Sequence, residues 1–431
     1  MKVFRTLVVA MALFLGTASP AFPAFRFPMP EFDSGYQLPA MQLPLSKASL
    51  DLLDSAVLLG ALSLSAFLIL KRRSRRAIFL VTIFSMLYFG FWRKGCVCPV
   101  GSVQNVLDGM LHGSVAVPVV VLVFFMLPLI FALFFGRVFC ASVCPLGAMQ
   151  EIVAIRPVLL ARPLETVLSI IPYAYLGLTV LSLATGAGYL ICRFDPFVGF
   201  FRQGASFNMF LVGGIFLVGG VFIGRPYCRF LCPYGVLLSW MSRFSKWHAS
   251  IPPTQCVQCR LCEESCPYGA IKEPTPEDRP MTRREGTRRV AKLLLVTPLI
   301  IGFGACAGVA SHGLLARIHP TVVLAERIVA EERGLYAEMT VESEAFRDSQ
   351  RTIPELYQEA RIAKERFRYG SAVFGAFLGI VVAVKLIALS VVRRRTDYEA
   401  DRGACVSCGR CFVYCPVEEE DEITRKQETA V

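Results

Sequence analysis

The chain has 431 residues, of which 55% are hydrophobic and only 18% charged; with a mean hydropathy of +0.54, that composition excludes an ordinary soluble domain. The net charge of +12 does not point to nucleic acid. The basic residues flank apolar runs, as in "KRRSRR" and "VVRRRTD", where they anchor spans on the inner side of a bilayer.

In chain order, residues 1–24 read as a secretory signal peptide or, alternatively, an uncleaved N-terminal membrane helix: a basic start (Lys2, Arg5), a short apolar centre, and small residues near Ala21 and Ala24. Residues 25–51 are Pro-rich and irregular, and are expected in the periplasm. Seven spans follow, at about 52–70, 77–92, 115–135, 166–190, 207–224, 291–311 and 371–392, several of them reaching the roughly 17–25 residues a membrane helix needs. The strongest Lys/Arg clusters then all fall on the cytoplasmic side; Arg93 and Lys94 fall outside. Residues 312–370 form a periplasmic helical segment, for which a solvated hairpin and a docking platform are the two readings.

"GRVFCASVCPLG" at 136–147 repeats as "GRPYCRFLCPYG" at 224–235. Each copy closes a pair of spans, so the membrane domain, 52–250, contains an internal two-span repeat. "GCVCPVG" at 95–101 has a weaker counterpart in "ICRFDPFVG" at 191–199.

Fourteen of the sixteen cysteines sit in C-x-C, C-x2-C or C-x3-C spacings, a pattern of cluster ligation rather than cross-linking. Cys256, Cys259, Cys262 and Cys266-Pro follow C-x2-C-x2-C-x3-C-P, and Cys405, Cys408, Cys411 and Cys415-Pro repeat it. In that arrangement the fourth cysteine of each motif ligates the other cluster. One 4Fe–4S cluster is therefore assigned to Cys256, Cys259, Cys262 and Cys415, and a second to Cys405, Cys408, Cys411 and Cys266. A zinc site would need only four thiolates. The ferredoxin halves, 251–275 and 396–417, are separated by the two-span insertion 291–392; two spans are an even number, so both halves return to the cytoplasmic side. A charged tail, 418–431, follows.

The paired C-x3-C-P motifs offer Cys140, Cys144, Cys228 and Cys232 for a third cluster where spans leave the membrane, each Pro placed to open a new helix; the alternative is free thiols packed as small hydrophobes. Cys96, Cys98, Cys192 and Cys306 fall at the external face and read as a fourth cluster or as two disulfides, with Asp195 a spare ligand. Gly302, Gly304 and Gly308 around Cys306 allow a cofactor or another backbone to come close. There is no C-x-x-C-H, and His112, His248, His312 and His319 all fall outside the spans, so no haem is indicated. A quinone is a possible cofactor, with Tyr173, Tyr175 and Tyr189 available. No hydrolytic motif is visible, and no catalytic residue is assigned.

The C-x3-C-P pair followed by a double 4Fe–4S ferredoxin resembles the NosR/NapH-type membrane iron–sulfur proteins, over roughly residues 75–275 and 400–417. The resemblance implies redox roles for Cys140, Cys144, Cys228, Cys232 and the eight ferredoxin cysteines. It also implies electron transfer between cytoplasmic donors or the quinone pool and a periplasmic redox protein or reductase. The split ferredoxin and the four further cysteines depart from that family's usual pattern.

The expected fold is an all-α polytopic protein of the bacterial inner membrane with a small cytoplasmic α+β ferredoxin-like cap, split by a two-helix membrane insertion. The expected function is that of an oxidoreductase component passing electrons across the bilayer. A quinol dehydrogenase subunit, and a redox-sensing or assembly factor for a periplasmic metalloenzyme, are the alternatives. No nucleic acid is expected as a partner.

Overall fold

The computed structural model describes residues 48–95, 98–112, 117–155, 158, 160–202, 207–251, 256–275, 283–336, 338–349, 351–391 and 395–416. The expected signal peptide or N-terminal helix, nearly all of the irregular segment 25–51, Cys96, and the charged tail lie outside the described residues.

Helices dominate. Helix α1 (Ala48–Phe67) and α2 (Arg75–Ser85) each continue into a π-helical stretch, Leu68–Arg72 and Met86–Trp92. Then come α3 (Pro99–His112), α4 (Val119–Phe135), a π-helical turn Phe139–Val143, α5 (Pro145–Val153), α6 (Arg162–Leu168) and α7 (Ile171–Ala184). Next are α8 (Ile191–Phe194), α9 (Pro196–Arg202), α10 (Phe207–Phe222), α11 (Pro226–Phe230) and α12 (Pro233–Arg243). The remainder is α13 (Leu261–Glu264), β1 (Ile271–Lys272), α14 (Arg283–Ala310), α15 (His312–Ala316), α16 (Pro320–Glu332), α17 (Val341–Asp348), α18 (Ile353–Ser390), β2 (Glu399–Ala400) and α19 (Arg410–Tyr414).

Among the described residues, five helical stretches are long and apolar enough to cross a membrane: Leu50–Arg72, Arg75–Trp92, Pro163–Ala184, Arg284–Ala310 and Ile353–Ser390. The third and fifth expected spans are apolar helices of 17 and 16 residues, short for a crossing on their own.

The insertion is a helix pair. Helix α14 packs along α18, and the contact is made by Gly304 and Gly308 against Ser371, Gly375 and Gly379. Small residues four apart on both helices let the two backbones touch, the usual way apolar helices associate where burial alone gives no drive. The glycines near Cys306 thus serve a backbone approach. Gly308→Leu would drive its Cβ into the Ser371 carbonyl, whereas a Cβ at Gly302 meets nothing within 4 Å. Overpacking should cost about 1–3 kcal/mol or more at Gly308 and little at Gly302, read as a shift in the detergent unfolding midpoint.

Helix α18 has 38 residues, a length of about 57 Å against a hydrocarbon core of about 30 Å. The second arm of the expected external hairpin is therefore the projecting half of the last span. With α16 and α17 it has a core of its own, built on Ile328, Phe346, Leu356 and Phe367 and shared with Leu181 of α7.

The two ferredoxin halves meet. Strands β1 and β2 pair antiparallel, Ile271 with Ala400 and Lys272 with Glu399. Asp401 N–H donates to Ala270 O at 2.7 Å and Thr275 N–H to Arg395 O at 3.0 Å, while α13 packs on α19.

Candidate functional site

In the cap, one apolar cluster gathers Cys262, Cys266, Cys408, Tyr268, Ile271 and Tyr398, with Cys256, Cys405, Cys411 and also Cys140 packed against it. A cavity in it is lined by Cys266, Cys405, Cys408 and Cys411. These four are the residues whose spacing predicts one shared cluster. Burial pushes the Cys405 thiol up to about 12, with Cys408 and Cys266 adding to the rise. Burial likewise raises Cys262 to about 11, helped by Cys256 and Cys259. Close-set thiols in a dry pocket resist ionising together, and a cationic metal core removes that conflict by taking them as thiolates. The donor set fits an iron–sulfur cluster. Cys415 directly follows α19, and α19 packs on the helix that carries Cys262.

The C-x3-C-P motifs do not place their cysteines on one helical face, as the four-residue spacing suggests. Each motif straddles a break. Cys140 lies in the π-helical turn and Cys144 caps α5; Cys228 lies in α11 and Cys232 caps α12. Pro145 and Pro233 open the new helices, where their missing N–H costs nothing.

Nor do the motifs sit at the mouth of the bundle. Tyr234, at the start of α12, donates to Phe125 O at 2.7 Å, and Trp247 N–H, past its end, donates to Phe134 O at 2.8 Å. Helix α12 therefore runs beside the second half of α4, beginning about 15 Å inside its end. Helix α5 behaves alike: it packs against the π-helical stretch Met86–Trp92, which continues α2, and carries Glu151 near its end, bonded to Arg75 at the start of α2. Both helices begin inside the bundle and leave toward the cap. Their N-terminal dipole ends carry partial positive charge inward, at Cys144 and Cys232.

The motif arginines are exchanged. Arg225 reaches across to Gly147, donating to Cys140 O and to Ala141 O (3.0 Å), and Arg137 lies over Gly235 with Nη2 3.8 Å from Cys140 Sγ. Arg137 is buried, and among the described residues its Nε has no hydrogen-bond partner; its Nη2 sets positive charge beside Cys140. Gln150 donates Nε2–H to Cys228 Sγ at 3.3 Å and accepts from Tyr227 N–H at 3.0 Å.

Glu151 joins cap to bundle. Its carboxylate is enclosed by Arg225 (3.0 Å), Arg410 (2.9 Å), Arg75 and the Tyr268 hydroxyl (3.0 Å). Burial alone would raise its pKa, but Arg225, Arg410 and Arg75 together hold it to about 2. A depressed carboxylate pKa stabilises the fold above the group's ordinary value of 4.5 and loses that contribution as pH falls toward 2. Cap docking should therefore be flat from neutral pH down to about 4.5 and weaken below it. Hydrogen exchange at 396–416 reads this, and a Glu151→Gln variant should show no such acid step.

The other expected site residues separate. Cys98 and Cys192 lie together, with Gln104 bonded to the Cys192 sulfur. Cys306 is exposed on α14, whose packing partners are α18 and α15. Of the expected grouping of Cys96, Cys98, Cys192 and Cys306, Cys98 and Cys192 are neighbours, Cys306 sits on the helix pair of the insertion, and Cys96 lies outside the described residues. All fifteen described cysteines are free thiols, so no disulfide joins these three. Tyr189 donates to Asp108, the Tyr173 ring lies tilted 6.0 Å from Trp240, and Tyr173 and Tyr175 both pack against the main core. His112 pairs with Asp108, His312 with Val309 O, and His319 caps α16.

Among the described residues no three His, Cys, Asp or Glu side chains close to single-ion spacing; a cubane, taking each thiolate on a different iron, holds its ligands further apart. Sequence reading missed Glu151, Gln150 and Gln104. The shared "CPLGAMQ" and "CPVGSVQ" carried the signal for the two glutamines.

A 4Fe-4S binding domain family matches residues 117–163 and again 206–252, each stretch holding one C-x3-C-P motif, and a further 4Fe-4S binding domain family matches 249–272. The chain is 30% identical over 193 residues to the uncharacterized protein MJ0750 of Methanocaldococcus jannaschii, covering 42% of this chain and 77% of that one. It is 31% identical over 158 residues to NirI of Paracoccus denitrificans, covering 32% of this chain and 22% of NirI. It is 22% identical over 192 residues to YccM of Escherichia coli, provisionally named an electron transport protein, covering 39% and 52%. Of most curated relatives it matches, the chain spans about half the length or less. No solved structure matches it.

Proposed function

This chain belongs to the NosR/NapH-type membrane iron–sulfur electron-transfer proteins, and from that we propose that it carries electrons between the cytoplasm or quinone pool and a redox partner in the periplasm. Bound 4Fe–4S clusters supply reversible one-electron storage. Cys256, Cys259, Cys262 and Cys415 hold one, Cys405, Cys408, Cys411 and Cys266 the second, and Cys140, Cys144, Cys228 and Cys232 a third. Arg137 and Arg225 set positive charge beside the third group, and Gln150 donates to one of its sulfurs. The basic run 71–76 supports a cytoplasmic cap, because Arg75 of that run donates to Cys408 O at 2.9 Å. The projecting helices α16–α18 then face the periplasm and offer the partner a surface.

The observation that carries this reading is depth. Ligand groups at the two surfaces alone would leave a gap near 30 Å; Cys144 and Cys232 begin helices inside the bundle, and Cys140 packs against the cap's cysteine cluster. Iron per chain in anaerobically purified protein tests it. About twelve or more supports the reading; about eight, the cap alone, overturns it.

A further inference from the structure

The arrangement around Cys144 and Cys228 occurs a second time, inverted. Cys98 precedes the Pro99 that opens α3, as Cys144 precedes the Pro145 that opens α5. Six residues on, Gln104 repeats Gln150. Its Nε2 lies 3.3 Å from Cys192 Sγ and its Oε1 accepts from Ile191 N–H at 2.5 Å, as Gln150 holds Cys228 Sγ and Tyr227 N–H. Cys192 lies in short helix α8 and is followed by Asp195-Pro196, which opens α9; Cys228 lies in short helix α11 and is followed by Cys232-Pro233, which opens α12. The ligand that changes is the last, Asp195 in place of Cys232.

The depth is inverted too. Helix α3 packs along α4 and leads toward its start, so it leaves the bundle on the side away from the cap. Pro196 O lies against Gly213, six residues into α10, so α9 also begins inside. The N-termini of α3 and α12 therefore point inward from opposite ends, and the two helices touch.

Between the two groups stands Tyr227. It is 1% exposed, and among the described residues its hydroxyl has no hydrogen-bond partner. Its ring lies 5.0 Å from Phe197, whose N–H donates to Asp195 Oδ1 at 2.9 Å. The charged or ionisable neighbours of the hydroxyl include Asp195, Cys232, Tyr175 and Cys98. A buried donor without an acceptor costs free energy, and a sulfide or thiolate at either site would supply one.

We propose that the bundle holds a further iron–sulfur cluster on its side away from the cap, bound by Cys98, Cys192 and Asp195 and not by Cys306. This deepens the proposed function and rests on it. Cys192 is accessible, which suits exchange with a partner at that face. A ligand other than thiolate raises a cluster's potential, as histidine does in Rieske centres, so this site is the more oxidising end.

The test uses the full chain purified without oxygen, with iron, acid-labile sulfide and redox-poised EPR measured on Cys192→Ser, Asp195→Cys and Cys306→Ser. Cys192→Ser is expected to lose about four irons and one EPR signal while the cap signals persist. Asp195→Cys keeps its iron, with a changed signal and a lower midpoint potential; Cys306→Ser matches wild type. Should Cys192→Ser express poorly, Asp195→Cys decides alone. The proposal is overturned if Cys306→Ser loses the iron that Cys192→Ser loses, or if Asp195→Cys leaves spectrum and midpoint unchanged. Wild-type iron of about twelve per chain overturns this site and leaves the proposed function standing; about eight overturns both.

Discussion

A Cys232→Ser variant should keep its cap signals, lose about four irons, and pass no electrons across a sealed vesicle. Cys232 is buried at the start of α12, level with the middle of α4, and accepts from Gly235 N–H at 3.4 Å. Serine preserves the cap geometry, because a hydroxyl also accepts at a helix N-terminus, but it is a poor ligand to iron. The fold is therefore retained while a ligand is lost, which separates cofactor loss from unfolding. The cap cysteines are supplied by 256–266 and 405–415 and do not depend on Cys232. If the variant retained wild-type iron, the assignment of Cys140, Cys144, Cys228 and Cys232 as one ligand group would be wrong.

Glu151→Ala should release the cap. The carboxylate is shared by Arg225 and Arg410, with Arg75 and Tyr268 also bonded to it; removing it leaves cations facing one another in a closed space. Breaking a buried ion pair from one side costs about 3–5 kcal/mol. Cap contacts that remain include Ser239 to Gly403 O (2.8 Å), Ser242 to Arg402 O (2.5 Å), Arg402 to Ser245 O (3.1 Å) and Arg75 to Cys408 O (2.9 Å), each worth about 1 kcal/mol. Hydrogen exchange should accelerate across 396–416 and 256–272 and leave α14 and α18 unchanged. Glu151→Gln, which keeps an acceptor oxygen but no charge, should fall between. Equal exchange in wild type and Glu151→Ala would show that the hydroxyl and backbone contacts suffice.

Some of this was legible in sequence and some was not, for physical reasons. The ferredoxin spacing is local: Cys256, Cys259 and Cys262 must wrap one pocket whatever surrounds them, and an even number of intervening spans brings 405–415 back to the same side. The apolar runs announced the long helices, and Pro145 and Pro233 announced helix starts. What a run of hydrophobic residues does not encode is depth. Helices α3, α5 and α12 have 14, 9 and 11 residues, too short to register as spans, and a proline marks where a helix begins without saying which way it leaves. Lateral position is equally silent: Cys306 shares an expected membrane level with Cys98 and Cys192, yet α14 packs on α18 and α15. Glu151 is an ordinary helical acid in sequence, and only folding surrounds it with Arg75, Arg225 and Arg410, drawn from three distant segments.

The proposed role requires charge to pass from one compartment to the other. Purified protein is sealed into vesicles with an impermeant acceptor trapped inside and an impermeant reductant added outside. Reduction of the trapped acceptor in vesicles holding wild-type protein, and none in empty vesicles or those with Cys232→Ser, is the predicted result. Fully loaded wild-type protein that leaves the trapped acceptor oxidised would contradict it.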